Sequence, residues 1–335
     1  MASKRTIIHI FVVALILTQL VSGCRLSTRP LEENGEDFLK PEETEVPDVP
    51  EELETEEREE PTLRVYIAEK GTVETLPLEE YIMGVVAAEM EPDWPVESLA
   101  AQAIIARTFT LQKIDEQGGV PDKNAHASTD IEEFQAYAPE KISANVRQAV
   151  EETRGKVIVK DGEFIRAWFH AYAGTKTAEA DEGLAFEEGN PDYIKIVDSP
   201  GTAIIPPEER DWQASFSLDE VREAVTAKTG QDPGPVNNVE ITEKGPSGRA
   251  VTIKVNDVKI TGAEFRLALG SKEMRSTLIE DLELEDGSLV MSGTGYGHGV
   301  GMCQWGARAL AEQGREPEDI VDYFYRDVEI VKLWG

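Results

Sequence analysis

Positive charge is scarce in this 335-residue sequence, and so is cysteine. There are 33 Lys and Arg against 65 Asp and Glu, which gives a formal net charge of −32, and there are only 2 cysteines. Nucleic-acid binding needs a basic surface, so the acidic balance argues against a nucleic-acid partner and against charge-driven binding to anionic lipid. The length allows a large hydrophobic core in one or two domains.

The first 24 residues are typical of an export signal. A short basic start precedes an apolar run from Ile7 to Leu20, which is too short for a comfortable transmembrane helix. Small residues directly before Cys24 resemble a bacterial lipobox, in which cleavage leaves a lipidated cysteine. We therefore expect a lipoprotein on the outer face of the cytoplasmic membrane, attached through its lipid only. The alternative is an ordinary signal peptide or an uncleaved anchor. With lipid on Cys24, Cys303 has no disulfide partner.

Residues 25–62 form an acidic segment. Between Leu31 and Glu60 there are 15 acidic residues against 2 basic ones, without apolar periodicity, which predicts a disordered and self-repelling tether. The predicted folded domain covers residues 63–335, with a β-rich subdomain at about residues 200–290. We expect an α+β fold, in which a helical core with a Glu-bearing helix pair carries this subdomain before a C-terminal glycine-rich motif.

Periodicity and turn residues predict the remaining elements. A strand is expected near Leu63, followed by a turn at residues 70–71. A hairpin should turn at Asp161-Gly162, and its second strand would place Arg166, Trp168, His170 and Tyr172 on one face. Helices are expected at about residues 143–153, 218–228, 304–313 and 317–325.

The most informative stretch is LPLEEYIMGVVAAEMEPDWPVESLAAQAIIARTFTL, residues 76–111, which predicts two helices. The first begins at Pro77 and ends before Pro92, and the second begins at residues 93–95 and ends at 117–119. Leu78, Ile82 and Val85 follow one apolar face, and the next position on that face is Glu89. A carboxyl group there is expected to be protonated or paired. Glu89 is therefore either a general acid with a raised pKa or half of a structural ion pair, for instance with Arg107.

A second informative stretch is SGTGYGHGVGMCQWGARALAEQG, residues 292–314. Its alternating glycines lack the Lys-Ser/Thr ending of a phosphate-binding P-loop, so they indicate either a backbone that lies close to a ligand or helix, or simply a tight loop. His298 and Cys303 could be a base and a nucleophile or two metal ligands, but their spacing matches no standard zinc site. His170, with its aromatic neighbours, could line a sugar-binding groove or belong to a half-buried strand.

Three stretches in this order resemble the SpoIID/LytB family: YIMGVVAAEMEPDWPVESLAAQAIIARTFTL, TRGKVIVKDGEFIRAWFHAYAGTKTAEA and GYGHGVGMCQWGARALAEQG. The segments PSGRAVTIKV and ITGAEFRLALGSKEMRST resemble its middle region, so the likeness runs from about Leu63 to the C-terminus. Two departures stand out, since Cys303 replaces a common serine and AYAGTKT replaces a smaller Gly-Gly-containing loop. The lipoprotein-like start also differs from the membrane-spanning start that is usual in the sporulation proteins.

The resemblance implies a peptidoglycan lytic transglycosylase of the stage II sporulation protein D type. Its acid is the Glu of the VV-x-x-EM motif, which is Glu89 here, and one carboxyl group suffices because the sugar's own 6-hydroxyl replaces water. It implies glycan strands of peptidoglycan as the partner, with neither a metal nor another cofactor. The alternative implied by the LytB name is a non-catalytic enhancer of a cell-wall amidase. The positions expected to contact substrate or support Glu89 are Gln102, Arg107, His170, Tyr296, His298 and Gln304. A tight pair with Arg107 would weaken Glu89 as an acid, so we expect none.

Overall fold

The structure is a computed structural model that describes residues 45–53, 58–131 and 133–335. The expected α+β fold is confirmed, because helices combine with several small sheets. Within the described ranges, no helix is both long enough and apolar enough to cross a membrane. The predicted signal segment and its lipidation site, Cys24, lie outside the described residues.

The helices include both members of the predicted pair at nearly the expected bounds. They are α1 (Leu78–Glu89), α2 (Val96–Gln117), α3 (Ala144–Glu152), α4 (Ala180–Leu184), α5 (Pro207–Arg210), α6 (Leu218–Thr229), α7 (Gly262–Leu269), α8 (Gln304–Glu312) and α9 (Pro317–Phe324).

The strands are short and are distributed over five sheets in the described part of the chain. They are β1 (Thr62–Ile67), β2 (Thr72–Pro77), β3 (Ala127–Ser128), β4 (Lys156–Lys160), β5 (Glu163–Phe164), β6 (Phe169–His170), β7 (Asp211–Ser217), β8 (Val239–Lys244), β9 (Ala250–Val255), β10 (Val258–Thr261), β11 (Ile279–Glu285), β12 (Ser288–Thr294), β13 (Met302–Cys303) and β14 (Glu329–Lys332). The orders are β2-β1-β3, β10-β9-β8, β11-β12-β7, β13-β6 and β14-β4-β5.

The helix pair α1 and α2 forms the centre of the main core. Leu78, Ile82 and Val85 are fully buried, as their spacing predicts. Helix α1 ends where Met90 turns to extended backbone, and α2 ends at Gly118, whose φ of 67° is the left-handed conformation that glycine adopts without strain. Helices α3, α8 and α9 pack against α2, so helices from the middle and from the C-terminal part of the chain meet on it.

The described part of the predicted tether is not free chain, which corrects that expectation. Leu53 is buried in the main core. The Glu60 carboxylate accepts a hydrogen bond from the backbone N–H of Glu79 at 2.8 Å and pairs with Arg154. Composition and periodicity could not identify these anchoring residues in an acidic segment. They act singly, through apolar contacts of Leu53 and the ion pair of Glu60, and so leave no repeating pattern.

The predicted hairpin at residues 156–172 is only partly correct. The turn at Asp161-Gly162 joins β4 to β5, but β5 ends at Phe164 and the following residues leave the sheet. Strand β6 instead pairs in parallel with β13, which places His170 opposite Cys303. The shared strand face proposed for Arg166, Trp168, His170 and Tyr172 is therefore wrong. The tertiary pairing with β13 replaces the local hairpin and joins the middle of the chain to the glycine-rich motif.

The region between residues 211 and 294 has a hydrophobic cluster of its own. Sheets β10-β9-β8 and β11-β12-β7 enclose it together with α6 and α7. Strand β7 alternates exposed and buried positions along its whole length, the pattern of a sheet with one covered face. The sequence predicted α6 and the β-rich character of this region but missed α7. The division into domains stays a prediction.

Candidate active site

Glu89 is the last residue of α1 and is partly buried. Its Oε1 accepts a hydrogen bond from the backbone N–H of Ala136 at 2.9 Å. Burial raises the pKa of Glu89, while the Ala136 N–H and the Gln304 side chain, which favour the charged form, lower it. The net direction is upward. Glu89 is therefore a carboxyl group biased toward its protonated form, held by donors that can stabilise it after it loses a proton.

Gln304 and Gln102 extend this contact into the core. Gln304, the first residue of α8, donates through Nε2 to Oε1 of Gln102 at 3.4 Å, and both side chains are almost completely buried. The Nε2 group of Gln102 has no hydrogen-bond partner. The structure thus brings Glu89, Gln102 and Gln304 together and leaves one buried amide donor unused.

The loop that carries Ala136 lies directly on α1, and sequence reasoning missed its role. Tyr137 stacks on Tyr81 with ring centroids 5.6 Å apart, and the Ala138 N–H donates to the Gly84 carbonyl at 3.0 Å. A Cβ at Gly84 would lie 2.2 Å from the Tyr137 ring, so only glycine permits this approach. Ala136 acts through its backbone, and no side-chain pattern marks such a donor.

Arg107 does not pair with Glu89, as expected, and its partner is another carboxylate of α1. It is fully buried and makes a bidentate ion pair with Glu79, through Nε at 3.1 Å and Nη2 at 2.6 Å. The Glu79 carboxylate also accepts from the N–H of Gly155 at 2.9 Å and from Nε1 of Trp334 at 3.0 Å. Glu79 and Glu89 stand ten residues apart on one helix, or about 15 Å. Arg107 therefore belongs to the core, and the structure does not place it with Glu89.

His170 and His298 are brought together by the pairing of β6 with β13. Their ring centroids are 5.6 Å apart, and both rings contact the backbone of Val300. His170 donates from Nδ1 to the Val300 carbonyl at 3.1 Å, whereas Nδ1 of His298 accepts from the Val300 N–H at 3.1 Å. Burial lowers the pKa of His170 well below its usual range and that of His298 to about 3. Both rings are therefore neutral, and Nε2 of His170 is a buried acceptor without a partner.

Tyr296 precedes His298 on the same loop and is partly exposed. Its backbone exchanges two hydrogen bonds with Tyr172, at 3.0 and 2.8 Å. The guanidinium of Arg275 lies over its ring, 5.5 Å from the centroid. Tyr296 thus presents a partly exposed aromatic ring, with a cation on one face, two residues before His298 in the chain.

The alternating glycines let this loop lie against other groups. Gly299 and Gly301 have φ values of 86° and 71°. A Cβ on Gly299 would lie 2.3 Å from Cζ of Arg249, and one on Gly301 would lie 2.0 Å from the Trp168 carbonyl oxygen. Of the interpretations left open by the sequence, close backbone approach is the one that these distances favour.

Cys303 is fully buried. Its Sγ caps α8 by accepting from the Gly306 N–H at 3.3 Å, and it also accepts from the Ala173 N–H at 3.4 Å. Burial raises the pKa of the thiol, which opposes a nucleophilic role. Over the described ranges, no group of three or more His, Cys, Asp or Glu side chains could hold a metal ion.

Comparison with known proteins assigns the class of this α+β chain. A family model described as Stage II sporulation protein matches residues 66–159, which contain α1, α2 and Glu89. A second model, described as a domain of unknown function (DUF8618), matches residues 208–301, which contain Tyr296 and His298.

Similar proteins extend over most of the chain. An uncharacterized protein of Brachyspira hyodysenteriae is 33% identical over 77% of this chain and 68% of its own length. Stage II sporulation protein D of Bacillus amyloliquefaciens is 31% identical over 81% of both chains, and that of Bacillus subtilis is 29% identical over 80% of this chain and 78% of its own. The amidase enhancer of Bacillus subtilis is 25% identical, and the match spans 73% of this chain but 39% of that protein. The chain belongs to the stage II sporulation protein D (SpoIID) family, as its motifs predicted.

Proposed function

We propose that this protein is a peptidoglycan lytic transglycosylase in which Glu89 is the single acid and base. The observation that carries the proposal is the setting of this carboxyl group. Burial raises its pKa, while the Ala136 N–H and Gln304 hold it in place and favour its ionised form. A group of this kind can donate a proton near neutral pH and then persist as a carboxylate.

The proposed reaction uses no water. Protonated Glu89 gives its proton to the glycosidic oxygen between the MurNAc and GlcNAc sugars as the C1–O bond breaks. The MurNAc C1, now oxocarbenium-like, is attacked by the 6-hydroxyl of the same sugar, and the Glu89 carboxylate takes the hydroxyl proton. The products are a free 4-hydroxyl on GlcNAc and a 1,6-anhydro MurNAc end, and Glu89 is again protonated.

A single carboxyl group is consistent with what surrounds Glu89. The influences on its pKa are burial, a backbone N–H and an amide side chain, and none of them is a second carboxylate. Ordinary glycosidases use a pair of carboxyl groups at defined separation to hydrolyse the bond. In ordinary glycosidases the second carboxylate attacks the sugar itself or activates a water that does so. In the proposed reaction the 6-hydroxyl of the sugar is the attacking group instead. Gln102, His170, Tyr296, His298 and Gln304 remain the proposed substrate-binding or supporting positions.

The test is the release of anhydro-muropeptides from purified peptidoglycan, measured by mass spectrometry. Glu89→Gln keeps the shape and the acceptor for the Ala136 N–H but cannot supply a proton, so release should fall about 100-fold or more. The matched control is Glu91→Gln, which removes an exposed carboxylate two residues away and should leave release unchanged. Equal release by wild type and Glu89→Gln would refute the assignment.

The likeness to the amidase enhancer supports a second candidate function, in which the protein binds peptidoglycan and stimulates a cell-wall amidase. That function predicts no anhydro ends from the protein alone. It predicts faster amide cleavage when a partner amidase is added, with the same stimulation by Glu89→Gln. Release of anhydro ends therefore tests the first candidate function, and stimulation of the amidase tests the second independently.

We also propose that the protein acts outside the cytoplasmic membrane, held there by lipid on Cys24. The support is the basic start, the apolar run and the small residues before that cysteine. Metabolic labelling with a fatty acid should mark the wild type and not Cys24→Ser. Labelling of both proteins alike would contradict this anchor.

A further inference from the structure

Two arginines accompany the loop that carries Tyr296 and His298. The guanidinium of Arg275 lies over the Tyr296 ring. The main-chain carbonyl oxygen of Arg275 accepts hydrogen bonds from Nε of Arg266 at 3.0 Å and from the N–H of Gly297 at 2.8 Å. One carbonyl thus joins both arginines to the loop, and both side chains are partly exposed.

These arginines are not neutralised, although the chain carries a net charge of −32. No carboxylate among the described residues forms an ion pair with Arg266 or Arg275. Arg266 donates to the carbonyls of Arg275 and Ser271, and Arg275 donates to the carbonyl of Glu208 at 3.0 Å. A guanidinium has five N–H donors, so most donors of this pair remain for an incoming acceptor.

A third cation lies beneath the same loop. Arg249 is fully buried where Gly299 passes over its guanidinium. Burial lowers the pKa of Arg249 to about 10, which leaves it charged at neutral pH, and the nearby Glu182 opposes that shift. Because His298 is neutral, the positive potential along the loop comes from arginine.

We propose that Arg266 and Arg275 form a carboxylate-binding subsite beside Tyr296. The guanidinium fork matches a carboxylate in geometry, and a partly buried cation without a counter-ion gains most from an anionic ligand. The subsite rests on the proposed function, since it assigns the loop to a peptidoglycan groove. Two carboxylates of that polymer have this chemistry: the lactyl group of the muramic sugar when no peptide is attached, and the acidic groups of an attached peptide.

The test measures binding of defined glycans to the full-length Glu89→Gln protein, which does not cleave them under the proposed function, by isothermal titration calorimetry. The ligands are peptide-free muramic oligosaccharides, the same oligosaccharides with each lactyl carboxylate reduced to an alcohol, and peptide-bearing oligosaccharides. Two of these ligands carry a carboxylate, and we expect the tighter-binding of the two to bind about tenfold tighter than the reduced oligosaccharide. That factor corresponds to the free energy of one hydrogen bond to a charged group. Preference for the peptide-free ligand assigns the lactyl carboxylate, and preference for the peptide-bearing ligand assigns the peptide.

Variants separate binding from folding. Arg275→Gln and Arg266→Gln should each abolish the preference for carboxylated ligand, and Arg275→Lys should restore part of it by retaining the charge. The control is Arg315→Gln, which removes an exposed arginine after α8 and should leave the preference intact. Equal binding of carboxylated and reduced glycans by the Glu89→Gln protein would overturn the subsite. So would glutamine variants that lose affinity for all ligands equally together with a lower melting temperature. Neither result depends on whether Glu89 is the acid.

Discussion

The buried pair of Glu79 and Arg107 offers a sharp test of how the core is separated from the proposed active site. Arg107→Met would keep most of the side-chain volume and remove the charge. The Glu79 carboxylate would then keep the N–H of Gly155 and Nε1 of Trp334 but lose its counter-ion. Breaking a buried pair from one side costs about 3–5 kcal/mol, because the remaining charge is uncompensated. In a chain of this size that corresponds to a fall of about 5–8 °C in melting temperature.

The double variant Glu79→Gln, Arg107→Met is the decisive comparison. Glutamine retains an oxygen that can accept from Gly155 and Trp334, and neither position of the pair then carries a charge. The double variant should therefore regain about 2 kcal/mol or more over Arg107→Met, measured by urea unfolding monitored through circular dichroism. A loss below about 1 kcal/mol in Arg107→Met, or additive losses in the two single variants, would refute the reasoning.

The same variant also bears on the catalytic proposal. Because Arg107 pairs with Glu79 at the other end of α1, its removal should not change the pH at which activity is half-maximal. The measurement is the pH profile of anhydro-muropeptide release by the folded fraction. A shift of that profile would mean that Arg107 acts on Glu89 after all.

Three further predictions concern the surroundings of the site. Gly84→Ala should displace Tyr137 and lower the free energy of unfolding by about 1–3 kcal/mol, measured with urea. It should also raise the pH of half-maximal activity, because the Ala136 N–H that favours ionised Glu89 moves away. An unchanged pH profile would contradict this. Cys303 should resist a thiol reagent in the native protein and react on unfolding, and Cys303→Ser should keep the cap on α8 and the activity. Burial lowers the pKa of His126 from 6.5 to about 4, so its contribution to stability should be complete above pH 6.5 and be lost as the pH falls toward 4. In a plot of unfolding free energy against pH, His126→Asn should flatten this range. Identical plots for the two proteins would exclude the effect.

The sequence predicted the helix pair well because its signals are local. Pro77 and Gly118 mark its ends, and the apolar spacing of Leu78, Ile82 and Val85 gives the buried face. Glu89 emerged from the same spacing as the residue that breaks the pattern. Gln102 and Gln304 were assigned through the family motifs, and the structure places them in one chain of contacts with Glu89.

The remaining features depend on tertiary contacts that no local pattern records. Strand β6 pairs with β13 instead of continuing the hairpin, because a distant segment supplies its backbone partners. Ala136 reaches Glu89 through a main-chain N–H, which any residue other than proline could supply. Arg107 was assigned to the groove by its motif position, whereas its actual partner, Glu79, lies on the first turn of α1 and resembles an ordinary helix-start carboxylate.

The contact between Gln304 and Gln102 has a consequence for the timing of assembly. The two residues are 202 positions apart, so the helix that bears Glu89 is synthesised long before the amide that completes its surroundings. Contacts between such distant positions form late, because a long loop must close before they stabilise anything. A partially made chain therefore possesses the proposed acid without its full setting. Helix α8, which carries Gln304, is among the last elements to be synthesised, so its synthesis sets the earliest moment at which the proposed active site can be complete.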